Sequence, residues 1–398
     1  MKKLLAIALS VILILSLAAC AGDGGNSGSG GGDSGSGANS GNGGDAGGSG
    51  GDSGSGGDSG SGGGSDGFEL ALVTDLGTID DKSFNQGSWE GLVQYAEENN
   101  ISYKYYQPVD QGDDSYLNAI DLAATGGAKV IVVPGFLFET PIFVAQDRYP
   151  DIKFVLLDGS PNNGDWDNFE GKVGDNTVSV FYAEEQSGFL AGYAAVKDGY
   201  RKLGFMGGMA VPAVVRFGHG YVQGAEYAAQ ELGLDDGAVT LNYYYTGTFA
   251  PAPEIQTMAA AWYNDGVEVI FACGGGIYLS IVQAADTAGA KVIGVDGDQS
   301  GESDSIITSA MKLLPASVYS CLSDYYAGKF PGGQTLNFTA ENQGVGLPMV
   351  NSRFNSFSNA DYEAIYAKLV DKSVVVDNNI DIAPDEIPAS KVVVNNLG

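Results

Sequence analysis

Three aspartates each close an apolar run: Asp75 ends "FELALVTD", Asp158 ends "KFVLLD" and Asp296 ends "KVIGVD". An ionised carboxylate only accepts hydrogen bonds. A set of three therefore selects a ligand rich in O–H and N–H donors, such as a sugar, a ribose or a base amide, and repels phosphate. Taken singly, each could equally cap a turn or the following helix.

Two phenylalanines stand near such strand ends. In "SFNQGSWEGLVQYAEE" the positions Trp89, Leu92, Val93 and Ala96 follow helical spacing and form the expected buried stripe, which leaves Phe84 off it. In "TFAPAPEIQTMAAAW" the stripe is Ile255, Met258, Ala259 and Trp262, and Phe249 precedes it on the loop. The two rings either pack locally or form a pair of walls for a flat ligand. The "DDKS" cluster at Asp80–Ser83 reads mainly as a helix start, with Asp80, Asp81 or Ser83 as the cap. Glycines of "CGGGIYLS", Gly274 and Gly275, follow a strand and allow close backbone approach to a neutral ligand; the loop lacks the spacing of a phosphate-binding loop. Lys312 either donates to ligand hydroxyls or pairs with one of the many acids.

Composition narrows the classes. The 398 residues carry 49 acidic against 19 basic side chains, a formal charge of −30, with no basic cluster. Nucleic acid and anionic lipid headgroups are poor partners for such a surface. The single histidine, His219 within "RFGHGY", reads as structural, and no Cys/His spacing proposes a metal or cofactor. No nucleophile–base constellation is visible, so the chain is not expected to be an enzyme. Cys273 and Cys321 are expected as two buried thiols rather than a disulfide.

The elements that must position these residues repeat. From Phe68, strands alternate with helices expected near 84–99, 114–126 and 139–149, up to "KFVLLDG". The pattern restarts at "KLGFMGG", with helices near 213–232, 253–265 and 278–288, and ends at "KVIGVDG". Such alternation implies right-handed βαβ units on parallel sheets, with ligands beyond the strands' carboxyl ends. Upstream, residues 1–20, "MKKLLAIALSVILILSLAAC", have the form of an export signal too short for a membrane span. Residues 21–67 contain only Gly, Ser, Asp, Asn and Ala, a composition expected to act as a flexible tether.

The stretches "TDLGTIDDKSFNQGSWEGL", "VIVVPGFLFETPIFVAQDRYPDIKFVLLDG", "EEQSGFLAGYAA", "GFMGGMAVPAVVRFGHGYVQGAEYA" and "VIGVDGDQ" resemble the basic membrane protein family, the purine nucleoside receptor A-like lipoproteins. "LAAC" resembles a lipobox, which implies lipidation of Cys20 and a place on the outer face of the cell membrane. The resemblance implies a type I periplasmic binding protein: two doubly wound α/β lobes, residues 68–180 with 309–335 and residues 181–308 with 336–398, joined by a three-crossing hinge. It further implies a monomeric substrate-binding protein that hands a nucleoside, of purine type, to an ABC permease. Carried over by residue, Asp75 and Asp158 face the base, with Phe138 and Glu139 as further base-side candidates. Phe84 and Phe249 stack on the base, and Asp296, Lys312 and a backbone amide at Gly274 or Gly275 hold the ribose. One departure is "TFAPAPEIQTM", where two prolines replace the family's small-residue, aspartate and Gly-Lys pattern. A sugar or polyol receptor of the same fold, and a surface signalling or adhesion lipoprotein, are the competing readings.

Overall fold

Each apolar run lies in a parallel sheet covered by helices on both faces, which is why the strands read as almost uninterrupted hydrophobic residues. The computed structural model describes residues 67–398; the export signal, Cys20 and the segment up to residue 66 lie outside the described residues. The first series is β1 (Leu70–Val73), α1 (Phe84–Asn99), β2 (Tyr103–Tyr106), α2 (Asp113–Thr125), β3 (Val130–Pro134), α3 (Glu139–Arg148), β4 (Lys153–Leu157) and β5 (Thr177–Tyr182). The second is α4 (Glu184–Lys197), β6 (Lys202–Gly207), α5 (Pro212–Glu231), β7 (Val239–Tyr245), α6 (Pro253–Asn264), β8 (Val269–Cys273), α7 (Ile277–Ala288), β9 (Lys291–Asp296) and β10 (Ile306–Lys312). Then follow α8 (Leu314–Tyr326), β11 (Thr335–Phe338), β12 (Val345–Gly346), α9 (Asn359–Val370) and β13 (Val392–Asn396).

The sheets have orders β11-β5-β4-β3-β1-β2 and β12-β10-β9-β8-β6-β7-β13. Within them, β2-β1-β3-β4-β5 and β7-β6-β8-β9-β10 are the same arrangement, so each lobe is doubly wound and β4 corresponds to β9. Pairing is parallel except where β12 runs against β10. The chain passes between sheets three times: from β5 to α4, from β10 to α8, and from β11 to β12. Strand membership carries each passage a few residues beyond the expected divisions, since β5 extends to Tyr182, β10 to Lys312 and β11 to Phe338. Residues 67–398 contain three buried apolar clusters and every element named above, the content of a self-sufficient folding unit.

The six expected helices form, but the phase of α1 differs from expectation. Its most buried positions are Asn85, Gly87, Ser88, Gly91, Leu92, Tyr95 and Ala96, while Trp89 is only partly covered and meets Tyr103 and Tyr105 edge-on. Phe84 therefore belongs to the inward face of α1. The hydrophobic pattern misplaced that face because part of it is small residues: a Cβ on Gly91 would lie 2.3 Å from the Pro315 carbonyl oxygen of α8. The cap is Asp81, whose carboxylate accepts from the backbone N–H groups of Ser83, Asn85 and Gln86 at 2.8, 3.2 and 3.1 Å.

Small residues also set the contact between α4 and α5. Cβ atoms on Gly188 and Gly192 would lie 2.0 and 2.1 Å from carbonyl oxygens of Phe217 and Tyr221, and those on Gly220 and Gly224 would lie 2.0 and 1.9 Å from those of Glu185 and Phe189. The two backbones touch, so no larger side chain fits.

Candidate functional site

Carboxyl ends of strands from both lobes surround a cavity of about 600 Å³. Asp75, Phe84, Asp158, Phe249, Gly274, Gly275, Asp296 and Lys312 all line it. The fold thus gathers every principal candidate in one place, although they span more than 230 positions of sequence.

Phe138 and Glu139 do not line the cavity; Phe136 and Leu137 take that position. Phe138 is fully buried and packs on Tyr116 with ring centroids 5.0 Å apart. Glu139 accepts hydrogen bonds from Ser160 N and Asn162 Nδ2, both at 2.8 Å, and so pins the loop after β4 to α3. A short 3₁₀ turn over Phe136–Phe138 rotates these two residues away from the cleft, and sequence spacing gave no sign of it.

The equivalent ends of β4 and β9 carry the same irregularity. Asp158 and Asp296 have φ of 55° and 63°, the left-handed region that costs a non-glycine residue on the order of 1 kcal/mol or more. Each precedes a glycine, and both side chains are thereby held at the cavity while their strands end. Lys312, at the end of β10, lies between them. Its ammonium bonds the Asp158 carboxylate, stands 3.0 Å from Glu184 Oε1 and 3.9 Å from Asp296 Oδ1. Three rings surround the same nitrogen: Phe84 at 4.7 Å, Phe217 at 5.2 Å and Tyr182 at 5.3 Å from their centroids. Lys312 is 2% exposed and pairs with acids, the second of its sequence readings, while also lining the cavity.

Glu184 is fully buried and also accepts from Arg216 Nε at 2.6 Å. Burial alone would raise its pKa, but the two cations outweigh burial and hold it below the ordinary value. Three carboxylates raise the pKa of Lys312 despite its burial. For Asp158 and Asp296, burial works upward against the pull of Lys312. Counted with every member ionised, the group of Asp158, Glu184, Asp296, Lys312 and Arg216 has three negative charges against two positive, a poor setting for an anionic ligand. The carry-over from the family separates Asp158 from the ribose-side Asp296 and Lys312; here Asp158 and Asp296 both face the Lys312 ammonium.

At the other end, Asp75 Oδ1 accepts from Gly77 N at 2.8 Å and Asn85 Nδ2 at 2.9 Å. Asn85 Oδ1 and Asp158 Oδ1, buried oxygens of two cavity-lining residues, have no hydrogen-bond partner among the described residues. Phe249 lies on bare backbone, since Cβ atoms on Gly208 and Gly274 would come within 2.3 and 2.9 Å of its ring. Gly208 and Gly274 therefore seat the aromatic ring, while Gly275 lies against the Phe249 carbonyl oxygen and Cβ, roles not foreseen from their sequence. Phe84 belongs to the first lobe, at the start of α1, and Phe249 to the second, on the loop between β7 and α6.

Sequence reasoning missed Asn85, Glu184, Arg216, Phe217 and Gly208. Asn85 had a signal, its place beside Phe84; the others depend on partners far along the chain. His219 is buried with Nδ1 3.0 Å from the Asn379 carbonyl oxygen, and burial lowers its pKa. Cys273 and Cys321 are free and buried. Among the described residues no cluster could hold a metal ion, and no helix is long and apolar enough to cross a membrane.

Two like lobes around an interlobe cavity define a cleft-type, two-lobed solute-binding protein. The chain belongs to the PnrA-like ABC transporter substrate-binding proteins, the Bmp family, whose model matches residues 68–380. It is 30% identical over 305 residues to the ABC transporter nucleoside-binding protein BmpA of Lactococcus lactis subsp. cremoris, covering 71% of this chain and 82% of that protein. It is 29% identical over 319 residues to basic membrane protein A1 of Borrelia garinii subsp. bavariensis, covering 78% and 88%. An ABC transporter system solute-binding protein from Aeropyrum pernix K1 superposes with a TM-score of 0.63 at 25% identity, over 80% of this chain and 84% of that structure.

Proposed function

We propose that this substrate-binding protein is the lipid-anchored, extracytoplasmic receptor of an ABC importer and that its ligand is a nucleoside, of purine type. The observation that carries the reading is the cavity itself. Phe84 and Phe249 face it from opposite lobes, with the Asp158–Asp296–Lys312 cluster in the same wall and two buried acceptors, Asn85 Oδ1 and Asp158 Oδ1, left over for N–H or O–H donors. A flat base between aromatic walls and a hydroxyl-rich ribose beside carboxylates satisfy both features. The excess negative charge favours nucleosides over nucleotides. The name of the Lactococcus relative, a nucleoside-binding protein, supports the same ligand class. Capture is by lobe closure onto contacts from both sides, followed by transfer to the permease, with no catalytic step.

Calorimetric titration of residues 67–398 with adenosine, guanosine, inosine, uridine and common sugars tests the reading. Saturable binding of a purine nucleoside, with no change in the nucleoside recovered afterwards, is expected. Tight binding to a sugar with no nucleoside response refutes it, and recovery of free base and ribose refutes the non-catalytic role.

A further inference from the structure

Two motifs that the ligand site leaves partly unused, "DDKS" and "VIGVDGDQ", meet across the cleft. Ser83 Oγ donates to Asp296 Oδ2 at 2.6 Å. Gln299 Nε2 donates to the Lys82 carbonyl oxygen at 3.0 Å, and the Lys82 ammonium lies 3.9 Å from Glu302. Lys82 and Ser83 precede α1 in the first lobe; Asp296, Gln299 and Glu302 lie at and after the end of β9 in the second. Neither Lys82, Ser83, Gln299 nor Glu302 lines the cavity.

Both halves of the central contact are held in place before they meet. Gln299 is fully buried. Its backbone N–H donates to Ser309 Oγ at 3.1 Å, and its Oε1 accepts from Val295 N at 3.2 Å. Gly294 makes room for it, since a Cβ there would lie 2.4 Å from Oε1. With Oε1 engaged inside its own lobe, the side-chain amide directs an N–H across the cleft. Opposite, Lys82 has φ 56°, a left-handed conformation that a non-glycine residue avoids. Its own N–H is fixed by Gln86 Oε1 at 3.0 Å. An immobilised donor facing an acceptor on strained, fixed backbone loses little entropy on contact.

We propose that the Gln299–Lys82 contact, with Ser83–Asp296 beside it, is a latch that stabilises the closed arrangement of the lobes independently of the ligand. Gln299 is a positioning residue for ligand retention, acting through lobe closure without touching the ligand. This inference rests on the two-lobed binding fold and not on the identity of the ligand. Because the latch forms only on closure, its loss speeds ligand release and leaves recognition in the open form unchanged.

Glu in place of Gln299 keeps the acceptor for Val295 N and replaces the cross-cleft N–H by an oxygen facing the Lys82 carbonyl. Small-angle X-ray scattering of ligand-free residues 67–398, fitted as a mixture of open and closed forms, measures the latch directly. Stopped-flow displacement of bound inosine measures its effect on release. The wild type is expected to hold a closed population without ligand, and Gln299→Glu to deplete it. The variant should release inosine roughly 10-fold faster, with an association rate within about threefold of wild type. Ser83→Ala should act in the same direction without disturbing Gln299, which guards against a folding defect in the first variant. The latch is refuted if the wild type has no closed population, or if both variants leave the scattering unchanged. Failure of inosine to bind would count against the nucleoside reading, and scattering alone would then judge the latch.

Discussion

The Lys312 ammonium and the Glu184 carboxylate stand 3.0 Å apart, one at the end of the strand before the second interlobe passage and one at the start of the helix after the first. Asp158 and Asp296 share the same cation from the two lobes. Removing it leaves three buried carboxylates with Arg216 as their remaining counter-ion. Lys312→Met should lose about 3–5 kcal/mol of stability in urea unfolding. A loss below about 1 kcal/mol would show that those carboxyls are already neutral in the folded protein.

The seat of Phe249 can be tested without touching its ring. A methyl group at Gly208 would sit 2.3 Å from Phe249 Cδ1, so Gly208→Ala must displace the aromatic. Purine nucleoside affinity is expected to fall about 10-fold or more, the size of a lost ring-on-ring contact with its area burial. Added to Phe249→Ala, the same change should cost almost nothing further, since the ring it displaces is gone. Full additivity in the calorimetric cycle would place the role of Gly208 elsewhere.

Asp296 offers a test of ligand orientation. If it holds the ribose, Asp296→Ala should weaken a nucleoside by 100-fold or so, the cost of losing charged hydrogen bonds in a buried site, while a free base loses little. Equal losses for guanosine and guanine would contradict the ribose assignment.

Glu185 gives the fold a pH dependence with a definite sign. Burial, helped by the neighbouring Glu184 charge, pushes its carboxyl up to about 7 from an ordinary value of 4.5. The folded chain therefore keeps a proton that the unfolded chain releases, and this favourable contribution is present at low pH and lost as pH rises from about 4.5 through 7. Asp81, pushed up to about 6 by burial, acts in the same direction. Melting temperatures should be higher at pH 5.5 than at pH 8. Glu185→Gln should raise the unfolding free energy at pH 8 by up to about 3 kcal/mol, and with it the melting temperature, and change both far less at pH 5.5. An unchanged difference between the two pH values would remove Glu185 as the cause.

Much of this architecture could be read in the chain because it is local. The paired "KFVLLDG" and "KVIGVDG" runs announced two like lobes, and the aspartates in them do stand at the cavity. What escaped was set by contacts at long range. The inward face of α1 was hidden because Gly87 and Gly91 carry no hydrophobic signal, yet they allow α8 to approach. Nothing local to Glu184 signals its burial; Lys312 and Arg216 reach it there from later elements. Glu139 shared a motif with cavity residues, but one turn of 3₁₀ helix redirected it to the loop at Ser160.

The close contact of α4 with α5 carries a mechanical consequence. Helices separated by side chains can slide by changing rotamers, whereas backbones in direct contact, as at Gly188, Gly192, Gly220 and Gly224, have no such slack. One of these helices continues directly from the passage at residue 183, and the other carries Phe217 at the cavity and Arg216 against Glu184. The cavity wall and the hinge therefore belong to one stiff lever. A rotation at that passage therefore carries this part of the cavity wall with it as one body, and sets the angle that the lobe's outer surface presents.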